Sequence, residues 1–251
     1  MSVFTGVGVA LVTLFDRDGD IDAEATADLA AGLVVAGMQA VVVAGSSGEA
    51  ATLTPAERVT LISSVRDAVP ADFPVIAGTG APSGRQAAEL TRQAFDTGAD
   101  AVLVLSPPWV PDPRPYYDHV AGAAAGLPVI AYHFPRMSSP GLAVDDLGDL
   151  PVSGVKDSSA DPNRLLALLT GYHGDSYVGS AALLALAGPL GATGAVLQLA
   201  NAEPEACLAA FSGDADAQLA LTGPHFASRP FPHGIKRLVA TRWGTSMASR
   251  L

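Results

Sequence analysis

One unit recurs along this chain: a helix end, a glycine turn, an unbroken apolar run, then small or polar residues. Ala36-Gly37-Met38-Gln39 leads into Ala40-Val41-Val42-Val43, and Thr97-Gly98-Ala99-Asp100 leads into Ala101-Val102-Leu103-Val104-Leu105. Leu190-Gly191-Ala192-Thr193-Gly194 leads into Ala195-Val196-Leu197 in the same way. The apolar runs lack period-two alternation, so both of their faces are buried, as in parallel strands covered by helices. Glycine after a helix supplies the left-handed backbone that ends it. The pattern predicts strands over 6–14, 39–44, 74–78, 101–105, 127–132, 152–156, 176–179 and 194–198. Helices are predicted over 22–36, 55–69, 83–97, 115–125, 143–149, 161–171, 180–189 and 202–212. Thr54-Pro55-Ala56-Glu57 and Asp161-Pro162 read as helix starts, each with a capping side chain before a proline. Eight β/α units predict an α/β fold, a (β/α)8 TIM barrel over residues 1–212. Residues 213–251 are expected to form a short C-terminal helical extension packed on the barrel, with one helix from Pro232 to Arg242 and no core of its own. The whole reads as a single domain.

Composition narrows the classes. Hydrophobic residues make up 49% of the 251 residues and charged residues 16%, a chain with much interior. A net charge of −11 argues against nucleic acid and against anionic membranes as partners by bulk electrostatics. A small anionic substrate needs only local donors and stays open. The single cysteine, Cys207, excludes an intramolecular disulfide and a cysteine metal cluster. Its setting, Glu-Ala-Cys-Leu-Ala-Ala, reads as a thiol packed on a helix face. Five histidines show no ligand spacing, so no metal is expected. Asp16, Asp18 and Asp20 alternate like part of a calcium loop, but the glycine is misplaced and no glutamate closes the set. The N-terminus lacks a basic, then apolar, leader pattern. The apolar tract from Leu29 to Ala44 is interrupted by Gly32, Gly37 and Gln39 and reads as helix, turn and strand. A soluble cytoplasmic protein is expected.

In a barrel of this kind chemistry sits at the C-terminal ends of the strands. Those ends carry Val12-Thr13, Gly45-Ser46-Ser47-Gly48-Glu49, Gly78-Thr79-Gly80, Ser106-Pro107-Pro108-Trp109, Tyr132-His133-Phe134-Pro135, Lys156, Gly179-Ser180 and Leu197-Gln198. Of fourteen Lys+Arg only Lys156 and Lys236 are lysines. Arginine serves for ordinary positive charge here, whereas a lysine amine can lose its proton when desolvated and attack a carbonyl. Position alone also fits a strand-end surface charge. Gly45 to Gly48 offers free backbone amides and two hydroxyls, a nest suited to a carboxylate, or an ordinary βα turn. Tyr132 ends the strand before the lysine strand, where a phenol can relay protons or simply pack.

Gly45-Ser46-Ser47-Gly48-Glu49, Tyr132-His133-Phe134-Pro135 and Gly154-Val155-Lys156-Asp157-Ser158-Ser159, in that order, resemble the dihydrodipicolinate synthase / N-acetylneuraminate lyase superfamily. Ala77-Gly78-Thr79-Gly80 and Ser106-Pro107-Pro108 are also in register, and the likeness runs from Phe4 to Asn201. The resemblance implies a metal-free class I aldolase or lyase with no cofactor, working through an imine on Lys156. Pyruvate or another 2-oxo acid would form the Schiff base, and an aldehyde would be the second substrate. Tyr132 would shuttle the proton. Gly45, Ser46, Ser47 and Gly48 would hold the carboxylate, and Thr13, Trp109, Arg136, Gly179, Ser180 and Leu197 would complete the substrate-binding set. Two departures stand out: Trp109 occupies the place of a second tyrosine, and Met137 the place of an arginine, with Arg136 one residue early. With the Ser-Pro-Pro and Lys-Asp-Ser-Ser elements, they make the chain look more like 2-keto-3-deoxygluconate-type aldolases than true dihydrodipicolinate synthase. The resemblance also implies a homo-oligomer, dimer or tetramer. A dehydratase, hydratase or dihydrodipicolinate synthase using the same imine is the alternative. A non-catalytic 2-oxo acid-binding protein on the same fold is the reading from another class.

Overall fold

Eight short parallel strands pair each with the next, and the last pairs with the first, so the sheet closes into a barrel. The computed structural model describes residues 2–251. The strands are β1 (Gly6–Ala10), β2 (Ala40–Val43), β3 (Val75–Gly78), β4 (Ala101–Leu105), β5 (Val129–His133), β6 (Gly154–Asp157), β7 (Asp175–Val178) and β8 (Gly194–Leu197). Around them lie α1 (Ala23–Val35), α2 (Pro55–Ala68), α3 (Gly84–Asp96), α4 (Arg114–Ala123), α5 (Pro162–Gly171), α6 (Leu184–Ala187) and α7 (Pro204–Phe211). Three further helices follow, α8 (Ala215–Ala220), α9 (Thr222–Ala227) and α10 (His233–Trp243). The fold is the (β/α)8 TIM barrel.

The unbroken apolar runs have a direct explanation. Each strand feeds two cores by alternation. On β2, Ala40 and Val42 enter the barrel interior with Ile76, Leu103, Ile130 and Val196. Val41 and Val43 face the helices, in the outer core that also holds Leu33, Leu61 and Val65. Neither face meets water, so neither needs polar residues. Phe4 stacks on Tyr177 at 4.7 Å and closes the N-terminal end of the barrel, leaving the opposite end free for polar groups.

Helix starts follow the expected chemistry. The Thr54 side chain accepts from the Glu57 amide at 3.2 Å, while the Thr54 amide donates to Glu57 Oε2 at 2.7 Å, ahead of Pro55. Asp161 caps α5 at 2.8 Å from the Asn163 amide.

Four elements depart from the sequence expectation. The strand expected over 6–14 ends at Ala10, because the side chain of Asn201 takes over its pairing. Its Oδ1 accepts from the Val12 amide at 3.1 Å and its Nδ2 donates to the Ala10 carbonyl at 2.8 Å. The helix expected over 143–149 is a single 3-10 turn at Leu147–Asp149. Asp145, Asp146, Gly148 and Asp149 are poor helix formers crowded into one stretch. The helix expected over 180–189 is a 3-10 turn followed by the one-turn α6, stopped by Gly188-Pro189. Besides the expected α10, the extension has α8 and α9, which at six residues each are too short to show a helical period.

Near the open end, the strands approach closely. A Cβ placed on Gly78 would lie 2.2 Å from the Ala44 carbonyl oxygen, against backbone that cannot give way cheaply. Gly78→Ala should therefore cost roughly 1–3 kcal/mol of stability, read as a lowered midpoint in urea unfolding. An unchanged midpoint would show that β2 and β3 can separate at no cost.

Candidate active site

Strand register builds the centre of the site. Tyr132 on β5 pairs with Lys156 on β6, so both side chains leave the sheet on the same side. Val155 and Asp157 take the opposite side by alternation. Val155 packs with the outer core, and Asp157 forms an ion pair with Arg164 and accepts from Ser159. The Lys156 ammonium nitrogen lies 4.4 Å from the centre of the Tyr132 ring, and the lysine is only 5% exposed.

That burial governs the chemistry. Desolvation lowers the Lys156 amine to about 7, so a large share of it is free base near neutrality. Burial pushes the Tyr132 phenol up, with hydrogen bonds to Ser158 and Ser46 pulling the other way. Ser158 Oγ donates to the Tyr132 hydroxyl at 3.3 Å. Phe134 stacks on Tyr132 with ring centres 5.7 Å apart. The neutral phenol stands ready to give a proton where the amine stands ready to attack. A Cβ on Gly179 would lie 2.0 Å from Ser158 Oγ, so glycine there makes room for the hydroxyl that orients the tyrosine.

After β2 the chain makes a 3-10 turn, Ser46–Gly48, with the Gly48 amide donating to the Gly45 carbonyl at 3.0 Å. Thr13 Oγ1 donates to the Gly48 carbonyl at 2.8 Å and braces the turn from below. Arg58, buried on α2, donates to the carbonyls of Gly78 and Ala50 at 2.8 and 2.5 Å and braces it from the side. Ser46 and Ser47 then line a cavity of about 430 Å³ together with Tyr132, Arg136, Lys156, Gly179, Ser180 and Leu197. A larger cavity of about 840 Å³ adjoins it, sharing Ser46 and Tyr132 and adding Gly45, Pro107, Pro108 and Leu90.

Three expected substrate-binding residues lie elsewhere. Thr13 is a buried brace with its hydroxyl committed to Gly48, and Gly48 is buried in the turn above it. Trp109 is 80% exposed, because the backbone after Pro108 turns left-handed at φ 65° and throws the indole outward. Conversely, Gln198, His225, Ser228, Arg229 and Phe231 line the smaller cavity. Gln198 follows a strand end, but the others come from α9 and the segment after it. No local pattern distinguishes them from surface residues. His133 faces away from the cavity. It accepts from the Leu142 amide at 2.9 Å, and burial lowers it to about 4, so it stays neutral. Among the described residues no group of three His, Cys, Asp or Glu side chains is arranged to hold a metal ion.

The sequence model of the dihydrodipicolinate synthetase family matches residues 3–220. The chain belongs to the dihydrodipicolinate synthetase family. An uncharacterised DapA-like lyase of Halobacterium salinarum is 38% identical over 208 residues, covering 80% of this chain and 68% of the relative. A 4-hydroxy-tetrahydrodipicolinate synthase of Natronomonas pharaonis is 35% identical over 216 residues, covering 82% and 73%. Among solved structures, the dihydrodipicolinate synthase of Acinetobacter baumannii complexed with pyruvate superposes with a TM-score of 0.86 at 27% identity, covering 99% of this chain and 94% of that one. No helix among the described residues of this family member is long and apolar enough to cross a membrane.

The lowered amine is directly measurable. After reductive methylation with ¹³C-formaldehyde, the Lys156 resonance should titrate with a midpoint near pH 7. A midpoint near the ordinary lysine value of about 10.4 would show that the amine is hydrated.

Proposed function

We propose that this family member is a class I aldolase or lyase in which Lys156 forms a Schiff base with pyruvate or another 2-oxo acid. The observation that carries the reading is one cavity into which a desolvated amine, a neutral phenol and a hydroxyl-bearing turn all converge. A relative with a similar fold binds pyruvate, which supports the same substrate class here.

The chemistry balances as follows. The free amine adds to the ketone carbon, and the carbinolamine takes a proton from solvent and loses one water to give an iminium. The iminium is an electron sink, so the neighbouring carbon returns a proton to solvent and becomes an enamine. The enamine carbon attacks an aldehyde, and the new alkoxide takes its proton from the Tyr132 phenol. Water then hydrolyses the iminium, which returns the amine and gives the released proton back to the tyrosinate. Cleavage runs the same steps backwards, with Tyr132 as the base. No metal or cofactor enters these steps. Ser46, Ser47 and the amides of their turn hold the carboxylate, and Gly179 and Ser180 line the opposite wall. Arg136 and Gln198 face the aldehyde. The second tyrosine of the synthases has no counterpart in the cavity, since Trp109 is turned outward. That favours an aldolase over the synthase reaction. Assembly into a dimer or tetramer belongs to the same reading, and the exposed Trp109 is a side chain that a second copy could cover.

The test is borohydride reduction in the presence of pyruvate, followed by intact-mass and peptide spectrometry. The adduct is expected on Lys156 and absent from Lys156→Ala. Lys236, the other lysine, is fully buried, so the readout is clean. Absence of an adduct with pyruvate and with larger 2-oxo acids rejects the reading. Tyr132→Phe should keep the adduct and slow carbon–carbon bond making or breaking by roughly 10²–10⁴-fold in an aldehyde assay. Full activity in that variant would remove Tyr132 from the proton path.

A further inference from the structure

The second lysine of the chain ends on the same turn as the proposed carboxylate site. Glu49 follows Ser46-Ser47-Gly48 with a left-handed backbone, φ 57°, a conformation that a side-chain-bearing residue adopts only where its surroundings enforce it. Its Oε1 lies 2.5 Å from the ammonium of Lys236 on α10, and neither side chain has any exposure. Its Oε2 accepts from the backbone amides of Arg250 at 2.8 Å and Leu251 at 3.2 Å. The Lys236 ammonium also donates to the Ala248 carbonyl at 2.5 Å and sits 4.3 Å over the centre of the Phe15 ring.

Residues 244–251 carry no regular secondary structure, yet they are held firmly. The Arg250 guanidinium donates to the Gly19 carbonyl at 2.6 Å, the Thr52 carbonyl at 3.1 Å and Glu57 Oε1 at 2.6 Å. It too packs on Phe15, 4.7 Å from the ring centre. The strap therefore joins β1's continuation, the segment after the turn and the start of α2 into one unit, and Glu49 is at its middle.

A buried ion pair is a poor device for stability alone, because desolvating both charges offsets much of their attraction. A pair of apolar side chains would fill the same space. What the charges add is direction: the carboxylate must meet one ammonium and two amides, and this fixes the backbone that carries Ser46 and Ser47. We propose that Lys236 and Arg250 are positioning residues that, through Glu49, hold the Ser46–Gly48 turn in the geometry that receives the substrate carboxylate. Neither lines the cavity, so neither touches the reacting atoms. The inference rests on the reading that this turn binds a 2-oxo acid.

The experiment measures half-saturation of reductive trapping on Lys156 with two probes, pyruvate and its methyl ester, which lacks the carboxylate charge. In Lys236→Met, half-saturation for pyruvate should rise about tenfold, and in Arg250→Ala several-fold, with the saturated trapping rate unchanged within about twofold. Half-saturation for methyl pyruvate should stay within about twofold in both. If Lys236→Met fails to fold, Arg250→Ala carries the test, because its side chain is partly exposed and its loss leaves the Lys236–Glu49 pair intact. A lowered melting temperature with unchanged pyruvate half-saturation, or equal shifts for acid and ester, would overturn the positioning role and leave a packing role only. Trapping with neither probe in the wild type would overturn the functional reading, and this inference with it. A wild-type adduct with unaltered variants would overturn this inference alone.

Discussion

An amine kept out of water is the constraint on which this molecule depends. Lys156 ends a strand of a closed barrel and points inward, into a mouth walled by Tyr132 and by the strand ends beside it. Desolvation there favours the uncharged amine over the ammonium. Everything that keeps the mouth narrow serves that end: the close approach of β2 and β3 at Gly78, the outer core that fixes each strand, and Phe4 against Tyr177 at the far end. The same burial keeps Tyr132 protonated. One environment thus moves two groups in complementary senses, making the base available on the lysine and the acid available on the tyrosine.

The Ser46–Gly48 turn is fixed from several sides. Thr13 holds the Gly48 carbonyl, Arg58 bonds to the carbonyls beside it, and Glu49 is met by Lys236 and the strap that carries Arg250. A short turn with serine hydroxyls would otherwise sample many arrangements, and the carboxylate proposed to bind there would be received well by few of them. The barrel supplies the scaffold, and on that proposal the C-terminal extension supplies the brace.

The extension also completes the cavity. His225, Arg229 and Phe231 join Arg136 and Gln198 around the space left when the amine, the phenol and the turn are accounted for. Residues far downstream of the last strand thus line one side of the cavity, while the strand ends carry the amine, the phenol and the turn. Loops and appended helices can change without disturbing strand register, which is why barrels of this kind support varied chemistry.

The sequence alone settled whatever depends on local period. Strands buried on both faces read as unbroken apolar runs, glycine turns mark the helix ends, and Tyr132 and Lys156 read as residues at strand ends. Lysine scarcity in an arginine-using chain drew attention to Lys156, and it could have drawn it to Lys236 as well. Tertiary structure decided the rest. It alone shows that Asn201 ends β1, that Trp109 turns to solvent, that the Thr13 hydroxyl braces the Gly48 carbonyl, and that Glu49 meets Lys236 and the strap. The physical reason is range. Periodicity is written by neighbours a few residues apart, whereas the partner of a buried charge is chosen by the closure of the whole barrel, and nothing in the local sequence around Glu49 or Lys236 names the other.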